Sequence, residues 1–551
     1  METNGAAKAS RWSLAPELYE QALTPLDRRY MDVMAGQGES PLSIDSAKPK
    51  IVLVVGPSPF TMPRGWEFFL ASPYEGVSYI ATVLHNAGYP VRIVDVRYDP
   101  DPLETAARAV LRDCDVLGIA TYEDCYPFVE ELVARAKESR PDLPVVLGGS
   151  LVTSVPNVFL KETKADVAVI SEGEITILEL MEAVTDGTWR AKLPAIRGIW
   201  WRDEKGGIHA NTARGQMPHL NSLPRMNLSL WPQASGPMGL QPQIIASHSR
   251  GCKMDCSFCY RTTPQLREKT PEKFDAELAE LTGKYHVNFI FFVDLTFTSN
   301  KKRTLELCDV IKRYKIGWTC LTRCADVDPE VLAAMKASGC DIILYGVESL
   351  GAEILRKARK GSSEHVVLRA LNWTREAGLR FGGLMIVGLP GETEESLDHA
   401  CRWAEENRHL TRVKYLSAMP GTTVYRDGLK NGIIASEAEH LRWLSVEQAL
   451  VHDEFLNYNG LPEALSRRAY QRMYDSYQPG PVMDFKHFPK HFSYFYPDPG
   501  RSWRARFSSA SAAPVPGVDR FRLDKLRPRV MPGGSRVGTV PRPDCEPIPS
   551  L

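Results

Sequence analysis

Three cysteines crowd one short stretch, Ser249-Arg250-Gly251-Cys252-Lys253-Met254-Asp255-Cys256-Ser257-Phe258-Cys259-Tyr260. Their spacing is C-x₃-C-x₂-C, with an aromatic residue directly before the last cysteine. Thiolates are soft ligands, and a group of them selects zinc or an iron–sulfur centre. A closed zinc site takes four ligands, and a cubane [4Fe–4S] cluster normally takes four cysteines. This loop supplies three, and no fourth Cys or His completes the motif. Three thiolates on a four-iron cube leave one iron with an open position, where a molecule can bind beside a reducible centre. A zinc knuckle, or a chance group of buried cysteines, is the competing reading.

Composition narrows the setting. Lys plus Arg and Asp plus Glu both total 67 in 551 residues, so charge gives no reason to expect nucleic acid or a membrane surface as partner. Apolar residues make up 43% and charged residues 24%, enough for ordinary cores in two to four domains. Eleven cysteines without a leading signal peptide point to a reducing cytoplasm and not to a disulfide framework. No apolar run is long enough to span a bilayer.

The elements that must position the loop follow from periodicity. Residues 1–48 are polar, with a helical patch near Pro16–Met34, and are expected to form an N-terminal arm. Ile51–Val55 is a continuous apolar run of the kind found in buried parallel strands. Strand-like runs Val91–Asp95, Val116–Ala120, Val145–Leu147 and Val167–Ile170 then alternate with helical stretches Tyr74–Ala87, Pro102–Arg112, Tyr126–Ser139, Ser154–Lys161 and Glu174–Val184. This predicts an α/β, doubly wound domain over 49–186, with ligand at the carboxyl ends of its strands. Residues 187–240 read as a proline-rich linker with a small β-hairpin at Trp200-Trp201. From Ile244 the alternation resumes: helix 272–284, strand Phe289–Asp294, helix 300–313, strand Gly317–Leu321, helix 329–338, strand Ile342–Val347, helix 364–377, strand Gly382–Val387, helix 394–407 and strand Arg412–Ser417. Six βα units over 241–430 fit a partial (β/α)₆ TIM-type barrel, whose chemistry belongs at the C-terminal strand ends. A helical, aromatic-rich C-terminal cap is expected over 431–500. A Pro/Ser/Arg-rich tail follows over 501–551.

The cysteine spacing, followed by a barrel pattern, resembles the radical S-adenosylmethionine (SAM) enzymes. The resemblance implies a [4Fe–4S] cluster on Cys252, Cys256 and Cys259, with SAM chelating the open iron. It also implies SAM contacts at the motif aromatics Phe258 and Tyr260, at Gly346, Glu348 and Ser349 after the fourth strand, and at Gly388 after the fifth. Arg323 is a candidate partner for the SAM carboxylate, since a guanidinium matches carboxylate geometry. Upstream, Tyr122, the Gly148-Gly149-Ser150 turn and the Glu172-Gly173-Glu174 turn stand at strand ends, where glycine lets a bulky ligand approach the backbone. Beside the cysteine motif, this layout resembles the cobalamin-binding domain of the B12-dependent radical SAM class. The Asp-x-His-x-x-Gly motif that many cobalamin proteins use is missing, and His85, the only histidine of this domain, sits inside a helical pattern. Cobalamin is therefore expected without a histidine on its lower face, where Arg64, after the first strand, is a candidate to lie.

The combination implies methyl transfer from SAM through methylcobalamin to a carbon of a small-molecule or peptide precursor, with an external electron donor. One branch of the class methylates C2 of tryptophan in thiopeptide pathways, where the indole attacks methylcobalamin directly, and tryptophan is the leading substrate. That variant needs the open iron blocked, for which Glu268 or Glu272 is a candidate; Arg64, Glu272 and Asp294 make up the candidate catalytic set. The alternatives are a cobalamin-assisted radical cyclase or ring-rearranging enzyme without methyl transfer, and a non-catalytic cobalamin or iron–sulfur sensor. Cys320 and Cys324 form a second C-x₃-C, either an auxiliary cluster or small buried hydrophobes.

Overall fold

A computed structural model describes residues 24–35, 44–57, 72–97, 99, 101–123, 125–232, 243–263, 265–407, 410–447 and 456–476. Arg64, the tail 501–551 and the aromatic run from Phe485 to Tyr496 lie outside the described residues.

The N-terminal domain is a seven-stranded sheet in the order β2-β1-β3-β4-β5-β6-β7. The strands are β1 (Ile51–Val55), β2 (Val91–Asp95), β3 (Val116–Ala120), β4 (Val145–Gly148), β5 (Val167–Val169), β6 (Ile199–Arg202) and β7 (Ile208–Ala210). β1 to β5 pair in parallel, and β1 is buried along its whole length, as its unbroken Ile-Val-Leu-Val-Val sequence requires. Strand order reverses between β1 and β3, which opens a crevice at their carboxyl ends. The Trp200-Trp201 hairpin joins this sheet: β6 runs antiparallel to β5 and β7 to β6. The helix expected over Ser154–Lys161 runs Pro156–Glu162, and a further short helix, Ser150–Ser154, precedes it. Pro156 lacks an N–H and disfavours helical backbone at Val155, so the second helix starts anew.

Within the expected N-terminal arm, the described helix is packed against the first domain. The helix Pro25–Ala35 buries Asp27, which pairs with Arg197 at 3.0 Å and with Arg214, and Tyr30 bonds Glu182 of the helix Glu174–Thr185.

The second sheet has six parallel strands in the order β15-β14-β13-β12-β11-β8. They are β8 (Gln243–Ala246), β11 (Phe289–Phe292), β12 (Gly317–Thr322), β13 (Cys340–Glu348), β14 (Arg380–Val387) and β15 (Leu410–Tyr415). Successive strand residues point to opposite faces. Ile290 and Phe292 of β11 thus join the core under the helices, whereas Phe289 and Phe291 cluster with Ile342 and Leu344. This is the expected half-barrel. One apolar cluster runs through both domains, from Leu53 through Trp231 to Ile244 and Phe274. Trp231 is buried and donates its indole N–H to Ser78 Oγ at 2.9 Å.

The C-terminal helices Glu437–Glu447 and Glu463–Ser476 are separate elements, and the latter stacks Tyr470 on Tyr415 of β15 with ring centres 4.3 Å apart. Cys308, Cys320, Cys324 and Cys340 are all buried in the barrel core. This is the packing role expected of free cysteine.

Candidate active site

The cysteines hang from a two-stranded ribbon. β8 ends at Ala246; the chain then forms β9 (Ser249–Arg250), runs through the cysteine loop, and returns as β10 (Arg267–Glu268), antiparallel to β9. Such a short ribbon is marginal alone, and side chains fix it on both sides. Asp294, just past β11, is buried and accepts from the Ser249 N–H at 2.7 Å, while His248 Nδ1 lies 2.8 Å from its carboxylate. Burial pulls the His248 pKa down, but Asp294 and Glu268 outweigh it and raise it to about 9. Asp294 is therefore committed to the ribbon.

Within the loop, Gly251 has φ +86°, and a Cβ there would stand 2.0 Å from the Gln265 carbonyl oxygen, so only glycine fits. Ser257 N donates to Ala358 O at 2.9 Å, Arg359 Nε to Asp255 O at 2.8 Å, and Arg261 to Met254 O and to the Asp255 carboxylate. Cys252 and Cys256 are buried and Cys259 is half-buried. Burial, reinforced by Cys256, pushes the Cys259 thiol up to about 12. Cys259 feels both Cys256 and Cys252 electrostatically, and soft donors of this kind and spacing are what an iron–sulfur cluster takes, although among the described residues no three His, Cys, Asp or Glu side chains converge as a preformed metal site.

The barrel strand ends stand around this loop. Glu348 ends β13 in a left-handed conformation, φ +65°, and its carboxylate is 2.9 Å from Lys360 Nζ. A Cβ on Gly346 would fall 2.6 Å from Glu348 Oε1 and 2.8 Å from Lys360 Nζ, so this glycine makes room for the pair. Burial opposes the Lys360 charge, but Glu348 and the Cys256 thiol outweigh it and raise its pKa. Ser349 accepts from Gly351 N. Arg323 pairs with Asp326 at 3.2 Å and donates to the Lys360 and Gly361 carbonyls, leaving its Nε without a protein partner. Gly388, φ +104°, donates its N–H to Glu392 at 2.9 Å.

Between the domains lies a cavity of about 600 Å³ at the β1–β3 crevice. All seven residues expected at cobalamin line it: Tyr122, Gly148, Gly149, Ser150, Glu172, Gly173 and Glu174. So do Gly251 and Tyr260, which bracket the thiols, and Asp294 with Leu295 from the barrel side. Gly76 and Gly148 have open space where a Cβ would stand. The buried Ser171 Oγ and Glu174 Oε2 lack protein partners, and Ser171 is held at φ +64°. Strain and unsatisfied polar atoms facing a cavity mark a ligand site, and a corrin edged with amides fits them. His85, half-buried in the last turn of the helix Glu75–Asn86, is not on this wall.

Other expectations are displaced. Tyr260, expected at SAM, lies on the cavity wall, and Phe258 packs into the apolar cluster beneath the N-terminal sheet. Glu272 is not brought to the cavity: it is exposed in the first turn of the helix Pro271–Gly283, where its own backbone N–H and the Thr270 hydroxyl bond its carboxylate and lower its pKa. Glu268 is bonded by Asn300 at 2.9 Å.

Residues that sequence reasoning passed over join the halves. Arg250 reaches Glu172 at 2.9 Å and Glu174 at 2.6 Å, and Arg267 reaches Glu172 at 2.8 Å. Burial would raise the Glu172 carboxyl, but the two arginines overcome it and hold it at about 2. Ser247 Oγ donates to Glu75 at 2.8 Å, and the buried Lys269 bonds Glu277, Tyr79 and the Ser247 carbonyl. Arg250 stands two residues ahead of the cysteine motif, which was the available signal; Lys360 and Lys269 carried none.

Comparison with known proteins fits this geometry. Residues 246–404 match the radical SAM superfamily, and residues 73–181 match the B12 binding domain. An uncharacterised methyltransferase of Pyrococcus horikoshii is 27% identical over 393 residues, 70% of this chain and 84% of its own. An anaerobic magnesium-protoporphyrin IX monomethyl ester cyclase of Rubrivivax gelatinosus is 26% identical over 61% of this chain and 62% of its own. The solved structure of the radical SAM methyltransferase TsrM from Kitasatospora setae, with tryptophan substrate and a SAM analogue bound, superposes with a TM-score of 0.60 at 18% identity, covering 78% of this chain and 89% of that one.

A B12-binding domain and a radical SAM domain thus meet in one chain. It is a SAM- and cobalamin-dependent enzyme of the methyltransferase class, with a [4Fe–4S] cluster, SAM and cobalamin as cofactors.

Proposed function

We propose that this enzyme methylates a carbon of a natural-product precursor, with C2 of tryptophan as the leading acceptor. The observation that carries the reading is the shared wall: Gly251 and Tyr260, on either side of the thiols, line the same cavity as Gly148–Ser150 and Glu172–Glu174. When bound, SAM on the cluster supplies the methyl group and the means of radical initiation, and cobalamin supplies a methyl carrier.

In this reading Cys252, Cys256 and Cys259 hold the cluster. Glu348, Ser349, Gly346, Gly388 and Arg323 would hold SAM, the Arg323 Nε, which lacks a protein partner, being available to its carboxylate. The seven cavity residues cradle cobalamin. In polar transfer to indole C2, that carbon loses a proton. Glu75 stands on the cavity wall, and its burial, against Lys269 and Arg250, raises its pKa, which suits it to accept that proton. The enzyme works in the reducing cytoplasm with an external electron donor.

The test is incubation of the anaerobically reconstituted protein with methyl-labelled SAM and candidate indoles, followed by mass analysis. Label in a new C–CH₃ of product is expected. Label in none of the acceptors, with SAM consumed and a new ring formed, would instead favour a cyclase, the activity named for the Rubrivivax relative. Release of 5′-deoxyadenosine in step with product separates the radical branch from the polar one.

A further inference from the structure

The turn after β5 carries two carboxylates on the cavity wall, yet both are engaged by arginines of the ribbon that holds the cysteine loop. Arg250 Nη1 bonds Glu172 Oε1 at 2.9 Å and Arg250 Nη2 bonds Glu174 Oε1 at 2.6 Å. Arg267 Nη2 bonds Glu172 Oε1 at 2.8 Å, and its Nη1 bonds Glu172 Oε2 at 2.9 Å and the Met217 carbonyl at 2.7 Å. The Met217 N–H closes the set on Glu172 Oε2 at 3.0 Å. Arg250 and Arg267 are the cross-strand pair of the ribbon, so the two guanidinium groups are set side by side by its register. Side-chain exposures of 18% or less leave this array screened from water.

A ribbon this short does not hold its own register, and charge-assisted bidentate bonds fix geometry as well as energy. The position of the Glu172–Glu174 turn therefore sets the position of Arg250, two residues ahead of Cys252. The same turn borders the cavity, and Gly173 between the two glutamates is part of its wall.

We propose that Glu172, Arg250 and Arg267 form a positioning clamp that makes cobalamin binding and cluster binding mutually dependent. A ligand filling the cavity holds the turn, the turn holds the arginines, and the arginines hold the loop in the form that accepts a cluster. By linkage the effect is reciprocal: a loaded cluster tightens cobalamin binding by the same factor. The inference rests on the binding of both cofactors and not on methyl transfer.

The test titrates hydroxocobalamin into the full chain under anaerobic conditions, with and without the reconstituted cluster, following cobalamin absorption. The wild-type Kd is expected to be about tenfold tighter with the cluster present, a typical coupling factor. In Glu172→Gln, and in Arg267→Lys, which keeps the charge but loses the fork, the ratio should fall close to one. Glu104→Gln, on the far surface, should keep the wild-type ratio. A wild-type ratio near one, or an unchanged ratio in both clamp variants, overturns the proposal. If Glu172→Gln does not fold, Arg267→Lys decides alone. Failure of the wild type to bind cobalamin at all would strike the cavity assignment itself.

Discussion

At the scale of single residues, the site depends on backbone forms that few side chains tolerate. Gly251 is the sharpest case, because a methyl group there would stand 2.0 Å from the Gln265 carbonyl oxygen. Gly251→Ala should cost at least about 1–3 kcal/mol of local strain. Iron per chain should drop well below the about four of a loaded cubane, while the far-UV circular dichroism stays as in wild type. A variant with full iron would refute this role. The Glu348–Lys360 pair gives a second test, since its side chains are only 12% and 8% exposed. Lys360→Met leaves the carboxylate buried and alone, and should destabilise the protein by about 3–5 kcal/mol. Adding Glu348→Gln should return most of that, as read by urea unfolding; a double variant no better than the single would contradict the pairing. The cysteines were legible in the sequence because ligand spacing is local. The clamp was not, because Glu172 meets its arginines across 78 and 95 residues of chain. Lys360 reads as an ordinary surface lysine until the fold buries it.

At the scale of elements, periodicity placed every parallel strand of both sheets, since buried strands and amphipathic helices alternate cleanly here. It misplaced junctions, where one residue decides: Pro156 starts the helix expected from Ser154, behind a short helix Ser150–Ser154, and β8 ends at Ala246, before the separate strand β9. The β14 end shows how an element junction responds to pH. Glu392 Oε2 accepts from the Gly388 N–H at 2.9 Å and from Asn459 Nδ2 at 2.8 Å, tying the strand end to the segment before the helix Glu463–Ser476. Burial raises its pKa to about 7, against the opposing pull of Asn459 and the Gly388 and Leu389 N–H groups. The native state thus binds this proton more tightly than the unfolded chain does. The contribution is fully present below the ordinary glutamate range and is lost as pH rises through about 7. The unfolding free energy should fall by about 1–3 kcal/mol between pH 5 and pH 8, and Glu392→Gln should flatten that slope. An equal slope in the variant would assign it to other groups.

At the scale of the whole molecule, two domains share one apolar cluster and enclose a cavity between them. Cobalamin binds only a folded cavity, so at a hundredfold excess over its Kd it should add about 2.7 kcal/mol of stability. The thermal midpoint should rise when cobalamin is added; no shift would sink the cavity assignment. The antiparallel β6–β7 hairpin gives the N-terminal sheet a contiguous origin, with all seven strands lying between Ile51 and Ala210. During synthesis that sheet has every strand it needs before any thiol of the cluster loop is made. Cys252 follows Ala210 by roughly 40 residues, a delay of about 2–8 s at ordinary elongation rates. The surface of the N-terminal domain that receives the cysteine loop, Glu172 and Glu174 included, is thus complete along the chain before Cys252 is made.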